Sequence, residues 1–290
     1  MSILNYIKYR WLRKYKSFKG RSLKKSAAQL VETAWQQQAT SPGDHRLPAS
    51  LMINLTSFPK RYKNLHLTIK SLLLQDIKPD SVNLWLYQED IKELPEAVKQ
   101  LENKGLSIIA VEDDSRSYKK LIPALNQYPD AFHVTADDDI YYRPDWLSTL
   151  VAGFSGNYNE ILCWRAHYLT KDARGKPKPY RKWHPKTEVR GPDSRLFFTS
   201  GAGVLFPPGS LPNTAKDLSL ALKLAPYADD LWWYIMARLN GSRITRVGDN
   251  PALINWPDSR EGSLWQFNKQ PELGNDAQLN RLISYFQINL

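Results

Sequence analysis

Cysteine occurs once in the 290 residues, at Cys163, so no internal disulfide can form, which fits a reducing compartment. Its neighbours Ile161, Leu162 and Trp164 are apolar, and the thiol reads as a buried, inert side chain rather than a nucleophile. No apolar run approaches the roughly 18 residues needed to span a bilayer. No His and Cys spacing suits zinc, and histidine is missing altogether after His184. There is no P-loop and no G-x-G-x-x-G, and Ser200 does not sit in a G-x-S-x-G elbow. Thiol, zinc, P-loop and serine-hydrolase chemistries are thereby disfavoured. Acidic residues are absent between Met1 and Lys25, where nine Lys and Arg fall; without those nine, 31 basic residues face 29 acidic ones, so the rest of the chain sits near +2. With 42% hydrophobic residues the chain has ample material for a core, which excludes disorder throughout.

The basic segment has neither an apolar h-region nor a small-residue cleavage site, so it is not a secretory signal. Ile3, Leu4, Ile7, Trp11, Leu12, Tyr15 and Phe18 recur at helical spacing between cations. Such a helix is suited to lie on an anionic leaflet; a solvated segment or a helix packed on the domain stay open as alternatives. A nucleic-acid partner would spread cations over the body, and the near-neutral body speaks against one.

The organisation expected is a basic amphipathic extension over 1–35, a polar linker over 36–50, and one domain over 51–290 with halves 51–156 and 157–290. Strands are expected at Leu51–Leu55, Val82–Tyr87, Leu106–Val111 and Phe132–Ala136, and helices at Tyr62–Gln75, Pro95–Lys104 and Tyr118–Asn126. This alternation predicts an α/β fold with a doubly wound, mostly parallel sheet, whose ligands bind beyond the carboxyl ends of the strands. Further strands are expected over Ile161–Tyr168 and Val204–Phe206, separated by a loop rich in Lys, Arg, Pro and Gly from Lys171 to Arg195. Trp183-His184-Pro185 in that loop is a candidate glycan contact. A helix is expected from Ala228. His133, inside a strand, reads as structural.

Three features carry chemistry. Asp137-Asp138-Asp139 ends the fourth strand. If strand geometry persists, Asp137 and Asp139 share a side and offer hard oxygens to Mg²⁺ or Mn²⁺; the alternative is an acidic turn that caps the following helix. Asp229-Asp230 opens an aromatic helix, where carboxylates favour the dipole; Asp229 is expected to cap while Asp230 faces the cleft as a base or electrostatic stabiliser. Ser200-Gly201-Ala202-Gly203 lets backbone approach a substrate, or simply makes a tight turn. Arg61, Lys119 and Lys120 follow strand ends and are candidate phosphate partners.

Thr56-Ser57-Phe58-Pro59-Lys60-Arg61, Ala136-Asp137-Asp138-Asp139-Ile140-Tyr141-Tyr142, Thr199-Ser200-Gly201-Ala202-Gly203-Val204 and Ala228-Asp229-Asp230-Leu231-Trp232, in that order, resemble the motifs of GT-A glycosyltransferases. The arrangement is similar to exostosin-like transferases and to bacterial surface-polysaccharide enzymes related to family two, over about residues 50 to 250. The resemblance implies a GT-A, Rossmann-like fold and a nucleotide-sugar donor, UDP-linked by expectation, with Mn²⁺ or Mg²⁺ as cofactor. Thr56, Ser57, Arg61, Asp114, Lys119, Lys120, Asp137 and Asp138 would bind the donor, and Asp137 and Asp139 the metal. Ser200, Gly201, Ala202, Gly203 and Asp229 would form the acceptor side, with Asp230 catalytic. The acceptor would be a glycan or glycolipid of a surface polysaccharide, the enzyme would sit peripherally on the inner face of the cytoplasmic membrane, and no nucleic acid would bind. Many such enzymes carry a later His as a metal ligand, which this chain lacks. A nucleotidyltransferase or phosphotransferase using the same acidic site, or a non-enzymatic glycan- or nucleic-acid-binding protein, is the competing expectation.

Overall fold

Period-two burial builds the central sheet. Ile161 and Cys163 face one side core and Leu162 the other; Val204 and Phe206 likewise part from Leu205. Both faces of the sheet are therefore covered, one by each of two large apolar clusters. The computed structural model describes residues 22–37, 42–248, 253–259, 270 and 272–290. The apolar stripe from Ile3 to Phe18 lies outside them.

The chain begins with a helix, α1, over 22–37, followed by β1 (Gly43–Asp44), β2 (Leu51–Thr56), α2 (Leu65–Leu73), β3 (Ile77–Lys78) and β4 (Ser81–Tyr87). Then come α3 (Glu96–Lys99), β5 (Leu106–Val111), α4 (Ile122–Gln127), β6 (Phe132–Thr135), α5 (Trp146–Ala152) and β7 (Glu160–Cys163). The second half adds β8 (Ala166–Tyr168), β9 (Leu196–Phe198), β10 (Val204–Phe206), α6 (Leu218–Leu224), α7 (Asp229–Leu239), β11 (Arg243–Arg246) and α8 (Asn275–Phe286).

Seven strands pair in the order β11-β7-β10-β6-β2-β4-β5. Neighbours run parallel except at β10, which is antiparallel to both β6 and β7. The fold is the doubly wound, mostly parallel α/β architecture that the alternation of elements predicts. Its strand order turns at β2, which lies between β4 and β6, and that is where such sheets open a crevice.

Several expected elements are divided. The helix expected over Tyr62–Gln75 is a 3-10 turn at Pro59–Asn64 followed by α2. The Tyr118–Asn126 segment is likewise a 3-10 turn, Arg116–Lys120, and then α4, whose early Pro123 starts the helix instead of breaking it. The single strand expected over Ile161–Tyr168 is two strands in two sheets. β7 stays in the main sheet, while β8 leaves it to pair with β9. Trp164 sits at the break, where its indole donates to the Trp146 carbonyl at 2.8 Å.

The 36–50 stretch is not featureless, for α1 runs to residue 37 and Gly43–Asp44 pairs in parallel with Ile77–Lys78. Ala27 and Val31 of α1 pack with Leu67, Ile254 and Trp256 in a small third core, and Glu32 holds Lys70 of α2 at 2.7 Å. No helix among the described residues is long and apolar enough to cross a membrane.

Candidate active site

Strand direction gathers the site. β2 and β6 run parallel and adjacent, so Thr56–Ser57 and Asp137 emerge at the same sheet edge. β10 runs the opposite way, and its register with β6 pairs Val204 with Thr135. The turn that precedes β10, Ser200–Ala202, therefore arrives at that edge too, as does the start of α7. A cavity of about 580 Å³ opens there.

Thr56, Ser57, Arg61, Asp114, Lys119, Lys120, Asp137, Asp138, Ser200, Gly201, Ala202, Asp229 and Asp230 all line this one cavity. Two expected residues do not. Gly203 turns its Cα to Trp146, where an added Cβ would lie 2.4 Å from the indole nitrogen; its φ of +110° also favours glycine. Asp139 lines a smaller neighbouring cavity with Lys60, Lys63 and Trp256, joined to the first through Arg61 and Asp138.

β6 ends at Thr135, and residues 138–139 form a turn, so the strand alternation does not reach the three aspartates. Each carboxylate instead has its own partners. Asp137 takes Lys120 at 2.9 Å. Asp138 is buried and accepts the Ser57 hydroxyl at 2.6 Å and the Arg61 guanidinium. Asp139 accepts the Asn255 amide at 3.1 Å and lies 3.5 Å from Arg61. Burial pushes Asp137 up, yet the Lys120 charge and hydrogen bond hold it below its ordinary range. Asp139 is raised to about 6 by burial and then by its two acidic neighbours, against Arg61.

Two hydrogen-bonded ties fix this acidic turn. The Tyr142 hydroxyl accepts the Asp137 amide at 2.7 Å and donates to the Gly201 carbonyl at 2.7 Å, linking the acidic and small-residue turns. A Cβ at Gly201 would lie 1.8 Å from an Asp137 carboxylate oxygen, so a larger residue there would displace that carboxylate. On the other side, the Thr68 hydroxyl donates to the Asp138 carbonyl at 2.8 Å and accepts the Trp256 indole at 2.7 Å. The Trp256 amide in turn donates to the Asp139 carbonyl at 3.0 Å.

Asp229 does not cap α7. Its carboxylate lies 3.1 Å from Lys120, whose buried ammonium thereby bridges the strand end and the helix start. The carboxylate expected to cap the helix is turned instead to this enclosed cation. Asp230 accepts the Ser200 amide at 2.9 Å. Burial first, and then Asp229, raise Asp230 to about 7, against the pull of Lys120 and Ser200. Lys119 pairs with Asp114 at 2.6 Å, so neither lysine is a spare cation.

Sequence reasoning missed Arg165, His167, Tyr180, Phe197 and Tyr227, all of which line the cavity. Arg165 is the notable one. Its Nε is buried without a hydrogen-bond partner, and among the described residues no carboxylate lies within ion-pair distance of it. Its signal was the apolar strand interrupted by Trp164-Arg165, where the chain changes sheets. His167 is neutral, lowered to about 4 by burial and then by Arg165, and its Nδ1 accepts the Lys186 amide at 3.1 Å.

Among the described residues, no three carboxylate, imidazole or thiol groups converge on a common point. The donor chemistry nevertheless fits a hard divalent cation. The carboxylate oxygens of Asp137 and Asp139, which line the two adjoining cavities, are of the hard kind that suits Mn²⁺ or Mg²⁺.

No protein-family model and no curated protein matches the chain by sequence. Among solved structures it is similar to S. aureus TarS 1-349, with 19% identity, a TM-score of 0.47, and 70% of this chain aligned to 59% of that one. The same protein in complex with UDP aligns at 17% identity with the same TM-score and coverage. Mannosyltransferase PcManGT from Pyrobaculum calidifontis, in complex with GDP-Man and Mn²⁺, aligns at 12% identity and a TM-score of 0.46, over 87% of this chain and 71% of that one. The chain thus spans less than two thirds of the TarS length it matches. At these TM-scores the likeness extends to no residue of the site, whose chemistry is read from its own geometry.

Proposed function

We propose that this chain is a metal-dependent glycosyltransferase that moves a sugar from a nucleoside diphosphate, UDP by expectation, to a glycan or glycolipid acceptor. The observation that supports the reading is one cavity at the sheet edge lined by Asp137, Asp230 and Arg165, two carboxylates and an arginine whose buried Nε has no hydrogen-bond partner. In this reading the donor nucleotide lies over Thr56, Ser57 and Arg61, with Asp114 and Lys119 toward base and ribose. Its diphosphate meets Arg165, whose planar fork suits phosphate oxygens. Asp137, which lines this cavity, and Asp139, which lines the adjoining one, would hold Mn²⁺ or Mg²⁺, which when bound would neutralise the charge of the diphosphate leaving group.

Asp230 acts on the acceptor. Its carboxylate takes the proton of the acceptor hydroxyl as that oxygen bonds to the anomeric carbon. The bond from this carbon to the diphosphate oxygen breaks, and the diphosphate leaves with the electron pair. A base near 7 combines ionisation with proton affinity at neutral pH, which is what general-base catalysis asks for. The Ser200 amide keeps the carboxylate aimed while Lys120 occupies Asp229, so the two neighbouring aspartates have separate tasks. Tyr180, Phe197 and Tyr227 add flat apolar faces to the acceptor side. The product would belong to a surface polysaccharide, and the basic Met1–Lys25 segment would dock on the inner face of the cytoplasmic membrane.

Release of nucleoside diphosphate from a panel of nucleotide sugars, with and without Mn²⁺, tests this function. At least one sugar nucleotide should be turned over with the metal; no release from any of them would refute it.

A further inference from the structure

The formal charge of +11 resides in two places. Nine cations belong to Met1–Lys25. Between residues 171 and 190 there are eight Lys and Arg against Asp172 and Glu188, a surplus of six; removing both surpluses leaves the rest of the chain at −4. This second concentration is a folded lobe. Asp172 accepts the amides of Arg174 and Lys176, both at 2.9 Å, and makes the turn. Lys171 bridges Pro177, and Tyr168 bridges His184.

Lys171, Arg174, Lys176, Lys178, Arg181 and Lys182 are all exposed. Among the described residues none of them has an ion-pair partner. Like charges held this close on an ordered loop repel one another, and a polyanion relieves that repulsion. The aromatic residues of the lobe point inward. Trp183 is buried against Phe197 with ring centroids 5.2 Å apart, and Tyr180 lies 5.7 Å from the same ring. Tyr180, His167 and Phe197 also line the cavity described above, so the lobe adjoins it through Tyr180. The Tyr180 amide donates to Asp276 of α8 at 2.6 Å, which pins the lobe there.

We propose that the 171–186 lobe is the acceptor-recognition element and that the acceptor is a polyanionic glycan, one carrying repeated phosphate or carboxylate groups. The proposal rests on the glycosyltransferase reading above and adds the substrate class. A lipid surface would be held by the cations alone, because the lobe's rings are turned inward and leave no apolar face to insert, and the vesicle arm of the test separates it from a glycan. A single-stranded nucleic acid fits poorly for the same reason, since stacked bases need exposed rings.

The test uses the full chain, the triple variant Lys176→Glu, Lys178→Glu, Lys182→Glu, and four probes. These are an oligogalacturonate, an oligo(glycerol phosphate), a neutral cello-oligosaccharide, and phosphatidylglycerol vesicles. At least one polyanionic glycan should bind about tenfold or more tighter than the neutral one, with an affinity that falls as salt screens the lobe. Its complex should protect both 171–186 and Phe197–Ala202 from hydrogen exchange, and the variant should lose about tenfold in affinity. The glycan that binds tighter identifies the anionic group. Equal binding of the neutral oligosaccharide, protection confined to Met1–Lys25, or a vesicle affinity that falls as far as the glycan affinity in the variant would overturn the proposal. Nucleoside diphosphate binding is measured alongside and should be unchanged by the variant. Its absence from the wild type overturns the glycosyltransferase reading, and the acceptor role with it, even where the lobe holds the polyanion.

Discussion

Asp230 and Asp229 are neighbours with different surroundings, and substitution separates them. Asp230→Asn should leave nucleotide binding and folding intact but cost roughly 10² to 10⁴ in turnover, the usual contribution of a general base. Asp229→Asn should retain far more activity. It also changes the pH profile. Asp229 raises Asp230, so its neutralisation lowers the Asp230 pKa and moves the acid limb of kcat/KM from about 7 toward lower pH. An acid limb that stayed in place in Asp229→Asn would assign that limb to another group. The residues of this site were legible in sequence where a strand end or helix start announced them, as with Asp137 and Asp230. Arg165 and Tyr180 were not, because a long loop and a change of sheet bring them to the cavity, and neither leaves a periodic trace.

At the scale of elements, what positions the acidic turn is the Tyr142 hydroxyl, bonded to the turn before β10, and the Thr68 hydroxyl of α2. Gly201→Ala should fold and yet displace the Asp137 carboxylate, since the new Cβ would sit 1.8 Å from its oxygen. A misplacement of that order costs about 10² in rate. Near-normal turnover in Gly201→Ala would show that Asp137 is free to move without consequence. Thr68→Val strands two buried partners, the Trp256 indole and the Asp138 carbonyl, at about 1–3 kcal/mol each in denaturant unfolding, whereas Thr68→Ser should lose well under that. The strands were read closely from alternation, Leu51–Thr56 and Ser81–Tyr87 within a residue. The helices were less so. Periodicity does not distinguish a 3-10 turn that tightens before an α-helix, as at Pro59–Asn64 and Arg116–Lys120. Nor could it show that an apolar run divides at Trp164, whose indole bonds to the Trp146 carbonyl of α5.

For the whole molecule, charge is unevenly distributed along the chain. The Met1–Lys25 segment carries nine cations, and α1, which continues from it, packs on Leu67 and Trp256 beside the acidic turn. Deleting Met1–Arg21 should weaken binding to anionic liposomes strongly, at on the order of 1 kcal/mol per cation near the surface, while leaving turnover on a soluble acceptor nearly unchanged. Equal liposome binding would remove the membrane role. The central claim, that the cavity at the carboxyl edge of the sheet holds a nucleoside diphosphate with a divalent cation, is tested most directly by calorimetric titration of UDP and GDP into the full chain, with and without Mn²⁺, beside Asp139→Ala. The expected result is binding of one diphosphate that strengthens with Mn²⁺ in the wild type and loses that gain in the folded variant. Failure of both diphosphates to bind the wild type, or the same Mn²⁺ gain in Asp139→Ala, would contradict it.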